Sequence, residues 1–265
     1  MESMSNWLLF ILGGFLSGSV MYCSLIPPLL TGKDVCRLSA DGNPGSANVF
    51  VHCGAGVGLL CLFLDMMKGF LPVWLAARAL GMDAWPFAFV MAAPVLGHAV
   101  GMLNHFHGGK CIATSFGVLA ALLPFSQLVF LLAITYIFFS TLVKIHPNSR
   151  RSIVTFAVLA AGAVILDGRR CLPIAVGCCM LAVTVIIKHV ESIRALEQAG
   201  QAEDALTALL SAFARRCGSV PYGAETLLGF LLQLELYQGA LRMVLTLQHY
   251  GHVKECRERL EVLYG

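Results

Sequence analysis

Residues 7–30 read WLLFILGGFLSGSVMYCSLIPPLL, an apolar stretch with no Asp, Glu, Lys or Arg. A helix of about 20 predominantly apolar residues crosses the hydrocarbon core of a bilayer, so this stretch predicts a membrane span. No Lys or Arg precedes it and no small-residue cleavage pattern follows, so it is expected to be a retained first helix rather than a cleaved leader. The rest of the chain supports that reading: 58% of its 265 residues are hydrophobic and 12% charged, with a mean hydropathy of +0.78. Soluble domains carry roughly 25% charged residues. The expected fold is all-α and polytopic, with about seven helical segments, some short or re-entrant, and a small cytoplasmic helical tail.

Polar inserts interrupt the apolar runs. Residues 31–48 hold Lys33, Asp34, Arg37, Asp41, Asn43 and Asn48, denser in hydrogen-bonding groups than a connector needs. Asp65 and Lys68 lie one helical turn apart and can pair, which makes them tolerable near lipid. The apolar runs on either side look short, so the pair is expected to mark two partial helices meeting inside the protein. Trp85–Leu103 forms the next span. The stretch 112–143 is too long for one span and is divided by Pro124, which leaves a kinked helix or a short helix followed by a full one.

The most chemically suggestive segment is Gly97-His98 followed by Gly108-Gly109-Lys110-Cys111-Ile112-Ala113-Thr114. Adjacent glycines let backbone N–H groups converge, Lys110 adds a cation, and a helix beginning at Ile112 would aim its N-terminus at the same place. That is a candidate anion cradle, although a plain glycine turn with an interfacial lysine accounts for GGK alone. His105 and His107 lack an acidic or thiolate set, so metal ligation is not expected. The ten cysteines show no CxxC pairs and read as small buried hydrophobes. Cations follow the later spans at Lys144, Arg150, Arg151, Lys188 and Arg194, which predicts the N-terminus outside and the C-terminus in the cytoplasm. Arg169 and Arg170 cut against simple alternation. Residues 1–196 are expected to form the membrane domain. Residues 197–265 turn more polar, with apolar residues at helical spacing (Leu206, Leu209, Leu210, Phe213) punctuated at Gly200 and Gly218, and predict two to four amphipathic helices.

Taken in order, these inserts resemble the bacterial acyl-phosphate:glycerol-3-phosphate acyltransferases. A first motif is matched by Gly18-Ser19, Asp34, Arg37 and residues 42–48. A second is matched by Asp65, Lys68, Gly69 and Pro72, and a third by Gly97, His98, Gly108, Gly109, Lys110, Ala113 and Thr114. His189, Ser192, Ile193 and Arg194 are similar to the family's ending. Asp41, Cys111 and Ser192 depart from the pattern, standing where the family has serine, glycine and asparagine.

The resemblance implies transfer of a fatty acyl group from acyl-phosphate to glycerol 3-phosphate, giving lysophosphatidic acid and phosphate in a bacterial inner membrane. His98, Ser19 and Lys110 would be catalytic. Arg37, Asn43, Asn48, Lys68, Gly108, Gly109, Lys110, Thr114, His189 and Ser192 would bind substrate phosphate. No cofactor, metal or nucleic acid is expected; the partners would be the two substrates, membrane lipids and a protein partner for the tail. The departures leave open a glycerol-3-phosphate-binding or transport protein without acyl transfer.

Overall fold

The computed structural model describes residues 4–39 and 41–216. Among them every regular element is helical: α1 (Met4–Ser19), α2 (Tyr22–Thr31), α3 (Val35–Leu38), α4 (Ser46–Cys53), α5 (Ala55–Leu80), α6 (Pro86–Val100), α7 (Ile112–Ala120), α8 (Leu128–Thr141), α9 (Asn148–Leu166) and α10 (Leu172–Arg216). Five stretches are long and apolar enough to cross a membrane: Met4–Thr31, Ala55–Leu80, Pro86–Asn104, Asn148–Leu166 and Leu172–Ala195. The shorter apolar α7 and α8 bring the set to the seven expected segments. Leu29 and Ile165, 82% and 76% exposed, belong to an outward apolar belt that only lipid would cover favourably.

The described chain divides into two compact units, residues 4–36 with 43–192, and residues 37–39, 41 and 42 with 193–216. In the first unit, α6 is the central helix: Phe87, Val90, Met91 and Val95 are fully buried in a core shared with Leu119, Leu132, Phe156, Ile174 and Leu181. Lipid supplies no hydrophobic force between helices, so close backbone approach does the work. A Cβ at Gly18 would lie 2.0 Å from the Pro94 carbonyl oxygen, and one at Gly97 would lie 2.0 Å from that of Phe15. Only glycine lets α1 and α6 pack at this distance.

The Asp65–Lys68 pair does not mark a break in its own helix. α5 runs unbroken from Ala55 to Leu80. The apolar run before the pair looks short in sequence because Gly54, with φ +85°, separates α4 from α5. The interruption lies in the facing helix, where Val20 and Met21 separate α1 from α2. A broken span leaves carbonyls that water cannot reach and that protein must satisfy. Lys68 Nζ donates to Val20 O at 2.6 Å, pairs with Asp65 Oδ1 at 2.8 Å and lies 5.7 Å from the Tyr22 ring centroid. Cys23 Sγ donates to Asp65 Oδ2 at 3.3 Å, and Ser17 Oγ donates to Lys68 O at 3.1 Å. The ion pair is therefore the clamp on the α1–α2 break.

A second clamp ties loops together elsewhere in the unit. Ser126 Oγ donates to Asp167 Oδ2 at 2.6 Å, with both residues buried, and Cys171 Sγ donates to Met82 O at 3.3 Å. Pro124 lies between α7 and α8, so the 112–143 stretch is a short helix followed by a second one. α10 continues as helix through Gly200, where the sequence suggested punctuation. The tail helices expected beyond Arg216 lie outside the described residues.

Candidate functional site

α6 ends at Gly101 in the left-handed conformation, and the chain returns through residues 101–111 to start α7. The return folds the glycine pair against the end of α6. Gly109 N donates to His98 O at 3.0 Å, and a Cβ on Gly108 would meet the Ala99 carbonyl oxygen at 2.0 Å. The His98 imidazole is buried, and its Nδ1 lies 3.2 Å from Thr114 Oγ1 of α7. Its Nε2 faces Gly109, where a Cβ would come within 2.4 Å. The glycine thus keeps open the space in front of Nε2, and the threonine fixes the ring from its other nitrogen.

The segment is braced from both sides. Gly69 of α5 packs so closely on α7 that a Cβ there would lie 2.4 Å from Thr114 O. Cys111, the N-cap of α7, holds φ +64°, a strained value for a side-chain-bearing residue. Its buried thiol donates to Gly109 O at 3.4 Å or Val95 O at 3.5 Å, filling space that a glycine at this position would leave empty. Burial pushes the Cys111 thiol up to about 12, even though the positive charges of Lys188 and Lys68 both act to lower it. Lys188 and Lys68 thus both act electrostatically on the glycine turn, with Asp65 opposing them. Sequence reading took Lys188 only as a topological marker; its position beside His189 was the available signal. Lys188 Nζ also pairs with Glu191 at 2.9 Å.

The first unit brings Ser19, His98, Gly108, Gly109 and Thr114 together. Ser19 is fully buried, and its hydroxyl donates to Phe15 O at 2.8 Å or Gly97 O at 3.3 Å, so it ties α1 to the residue before His98. Lys68 is engaged by Asp65 and Val20. Lys110 is half-buried in the turn, His189 is buried in α10, and Ser192 is half-buried near the end of the first unit. Asn43 and Asn48 form a local knot in which Asn48 Nδ2 donates to Asn43 O at 2.9 Å. Arg37 and Asp41 belong to the second unit, and Arg37 is exposed on α3. Asn104, unmarked in the sequence reading, holds the return loop by donating to His107 O at 2.8 Å and reaching Ser24 Oγ at 3.5 Å.

An apolar groove of about 430 Å³ opens between α6, α9 and α10, lined by Leu96, Ala175, Cys179, Met180, Val183 and Thr184 among others. Leu96 is contributed by α6, the helix that also carries His98, but two residues apart on a helix the two side chains point to different sides.

Comparison with known proteins identifies the relatives of this chain. A family model described as glycerol-3-phosphate acyltransferase matches residues 8–199. A glycerol-3-phosphate acyltransferase of Shewanella woodyi is 36% identical over 186 residues, covering 70% of this chain and 87% of the relative. One from Shewanella sp. strain ANA-3 is 34% identical over 197 residues, covering 74% and 92%. Two crystal structures of PlsY (YgiH), an integral membrane glycerol 3-phosphate acyltransferase, are similar at 26% identity, each covering 73% of this chain and 92% of that protein. The glycerol 3-phosphate form superposes with a TM-score of 0.63 and the lysophosphatidic acid form with 0.61.

Proposed function

This chain belongs to the glycerol-3-phosphate acyltransferase family, and from that premise we propose that it moves a fatty acyl group from an acyl-phosphate to glycerol 3-phosphate. The products are lysophosphatidic acid and inorganic phosphate, and the reaction is a step of phospholipid biosynthesis. The observation that carries this reading is the His98 imidazole, held by Thr114 through Nδ1 and facing Gly109 through Nε2.

In the tautomer whose Nδ1–H donates to Thr114 Oγ1, Nε2 has its lone pair on the open side. A glycerol 3-phosphate hydroxyl placed there gives its proton to Nε2 as its oxygen bonds to the acyl carbonyl carbon. The bond from that carbon to the phosphate oxygen then breaks, and phosphate leaves. Acyl-phosphate is already activated, so positioning and charge stabilisation supply most of the rate. Lys110 and the Gly108 amide hold the phosphoryl charge, with the Lys188 cation acting on the same turn, while the Gly109 amide is taken by His98 O and serves to shape the turn. Arg37, Asn43, Asn48, His189 and Ser192 complete the phosphate contacts in this reading, and Ser19 acts as a positioning residue through Gly97. The apolar groove lined by Leu96 suits the acyl chain.

Transfer is assigned to residues 1–196, in the inner membrane of a bacterium, with the N-terminus outside and residues 197–265 as a cytoplasmic extension that docks a protein partner. The test is phosphate release by detergent-purified protein given acyl-phosphate, with and without glycerol 3-phosphate. Release should depend on glycerol 3-phosphate and be abolished by Lys110→Ala. Saturable glycerol 3-phosphate binding without release would overturn acyl transfer.

A further inference from the structure

The loop between α8 and α9 carries a cationic cluster that acyl transfer does not use. Lys144, His146 and Arg150 are exposed and Arg151 is half-buried, while no Asp or Glu occurs in the sequence between Asp83 and Asp167. The Arg151 guanidinium lies 5.6 Å from the Tyr136 ring centroid, and the Tyr136 hydroxyl is hydrogen-bonded to Ser152, so the cation is braced in place. Arg151 Nε is nevertheless buried with no hydrogen-bond partner among the described residues. The N-cap of α9 is Pro147, which offers no capping side chain, and the first turn contains no acidic residue. Ser149, in that turn, is only 5% exposed, and none of the described residues bonds its hydroxyl.

A buried Arg151 Nε without a partner, the Ser149 hydroxyl and an uncapped helix N-terminus together suit an anion with several acceptor oxygens. The surroundings say where that anion comes from. Leu142 and Val143 are 76% and 51% exposed just before the cluster, and Val154 is exposed one turn beyond it. A free phosphate would gain nothing from that apolar rim, whereas a lipid lays its chains on it.

We propose that Arg151, Ser149 and the first turn of α9, with Arg150 and Lys144 around them, bind the phosphate headgroup of an anionic membrane phospholipid. The site is distinct from that of His98, and its ligand is a lipid of the surrounding leaflet rather than a substrate.

Native mass spectrometry of the full-length protein, loaded with equal amounts of dioleoyl phosphatidylglycerol and dioleoyl phosphatidylcholine, tests this directly. The wild type should retain phosphatidylglycerol about fivefold over phosphatidylcholine, roughly what one surface cation supplies. Arg151→Gln should remove the preference, Ser149→Ala should weaken it, and millimolar inorganic phosphate should not displace the lipid. Arg150→Gln, on the exposed side, should also lower it and stands in should Arg151→Gln fail to fold. Acyl-transfer rates in neutral detergent should be unchanged in all three. Equal retention of the two lipids, a preference untouched by both arginine substitutions, or ready displacement by inorganic phosphate would each overturn the proposal.

Discussion

Lys68 and His98 are both buried polar side chains in one helical unit, and they are used in opposite ways. Lys68 is engaged on several sides, by Asp65, Val20 O and the Tyr22 ring. His98 is held through Nδ1 alone, while Nε2 looks at a glycine where a side chain would collide with it. A charge so engaged at membrane depth is architecture, because removing a partner exposes a group that lipid cannot solvate. An imidazole fixed at one nitrogen and open at the other is arranged to handle a proton.

The contrast is broken most forcefully at His98. His98→Gln should lower the acyl-transfer rate by about 10²–10⁴-fold, the usual scale for a positioned general base. Its thermal unfolding midpoint in detergent should stay close to wild type. A stability loss with proportionate activity loss would place His98 on the architectural side instead.

Lys68→Met should do the reverse. It leaves Asp65 buried without its cation and the Val20 carbonyl without a donor, at a cost of about 3–5 kcal/mol. The unfolding midpoint should fall, and Asp65→Asn added to Lys68→Met should recover part of the loss. A variant of normal stability with a raised KM for glycerol 3-phosphate would show that Lys68 touches substrate.

Gly109→Ala sharpens the comparison from the other side of the ring. The added methyl lies 2.4 Å from His98 Nε2, so the ring must move or the turn must open, with overpacking of about 1–3 kcal/mol. Activity should drop by one to two orders of magnitude on that scale. Gly13→Ala, with open space around its Cβ, should be silent in the same assay. Equal activity in both variants would mean that the space before Nε2 is not used.

The membrane fold was legible from sequence because hydrocarbon imposes a length and a composition on every span: residues 7–30 and 85–103 announce themselves. The helix break was assigned to the wrong partner. Asp65 and Lys68 are visible as charges, but the carbonyl they serve belongs to Val20, 48 positions away, and no side-chain pattern marks an unpaired carbonyl. In the site, Gly97, His98, Gly108, Gly109 and Thr114 were readable as one motif and do meet in the first unit. Ser19 was singled out as catalytic, and its hydroxyl is bonded to backbone, which the residue type could not reveal. Lys188 was passed over because a cation after an apolar run already has a topological explanation. Its reach to Cys111 depends on how α10 lies beside α6, where a Cβ on Gly177 would sit 2.8 Å from Met91 Sδ. That is tertiary information.

Cys111 offers the finest test, because its thiol senses both burial and the cations around the turn. The thiol ionises near 12 in the folded protein against an ordinary value of 9.0. Between those values the unfolded chain has lost a proton that the folded chain still holds, so stability falls as pH rises through that window and is unaffected below it. Cys111→Gly abolishes this contribution, relieves the φ +64° strain and removes the thiol contacts to Gly109 O and Val95 O. The difference in unfolding midpoint between wild type and Cys111→Gly should therefore be flat from pH 6 to 8 and shift in favour of the variant above about pH 9. Maleimide should label wild-type Cys111 slowly at pH 7, since so little thiolate is present. Fast labelling, or a difference curve that stays flat at alkaline pH, would mean that the turn opens to solvent, and His98 would then work in a wetter site than the one described.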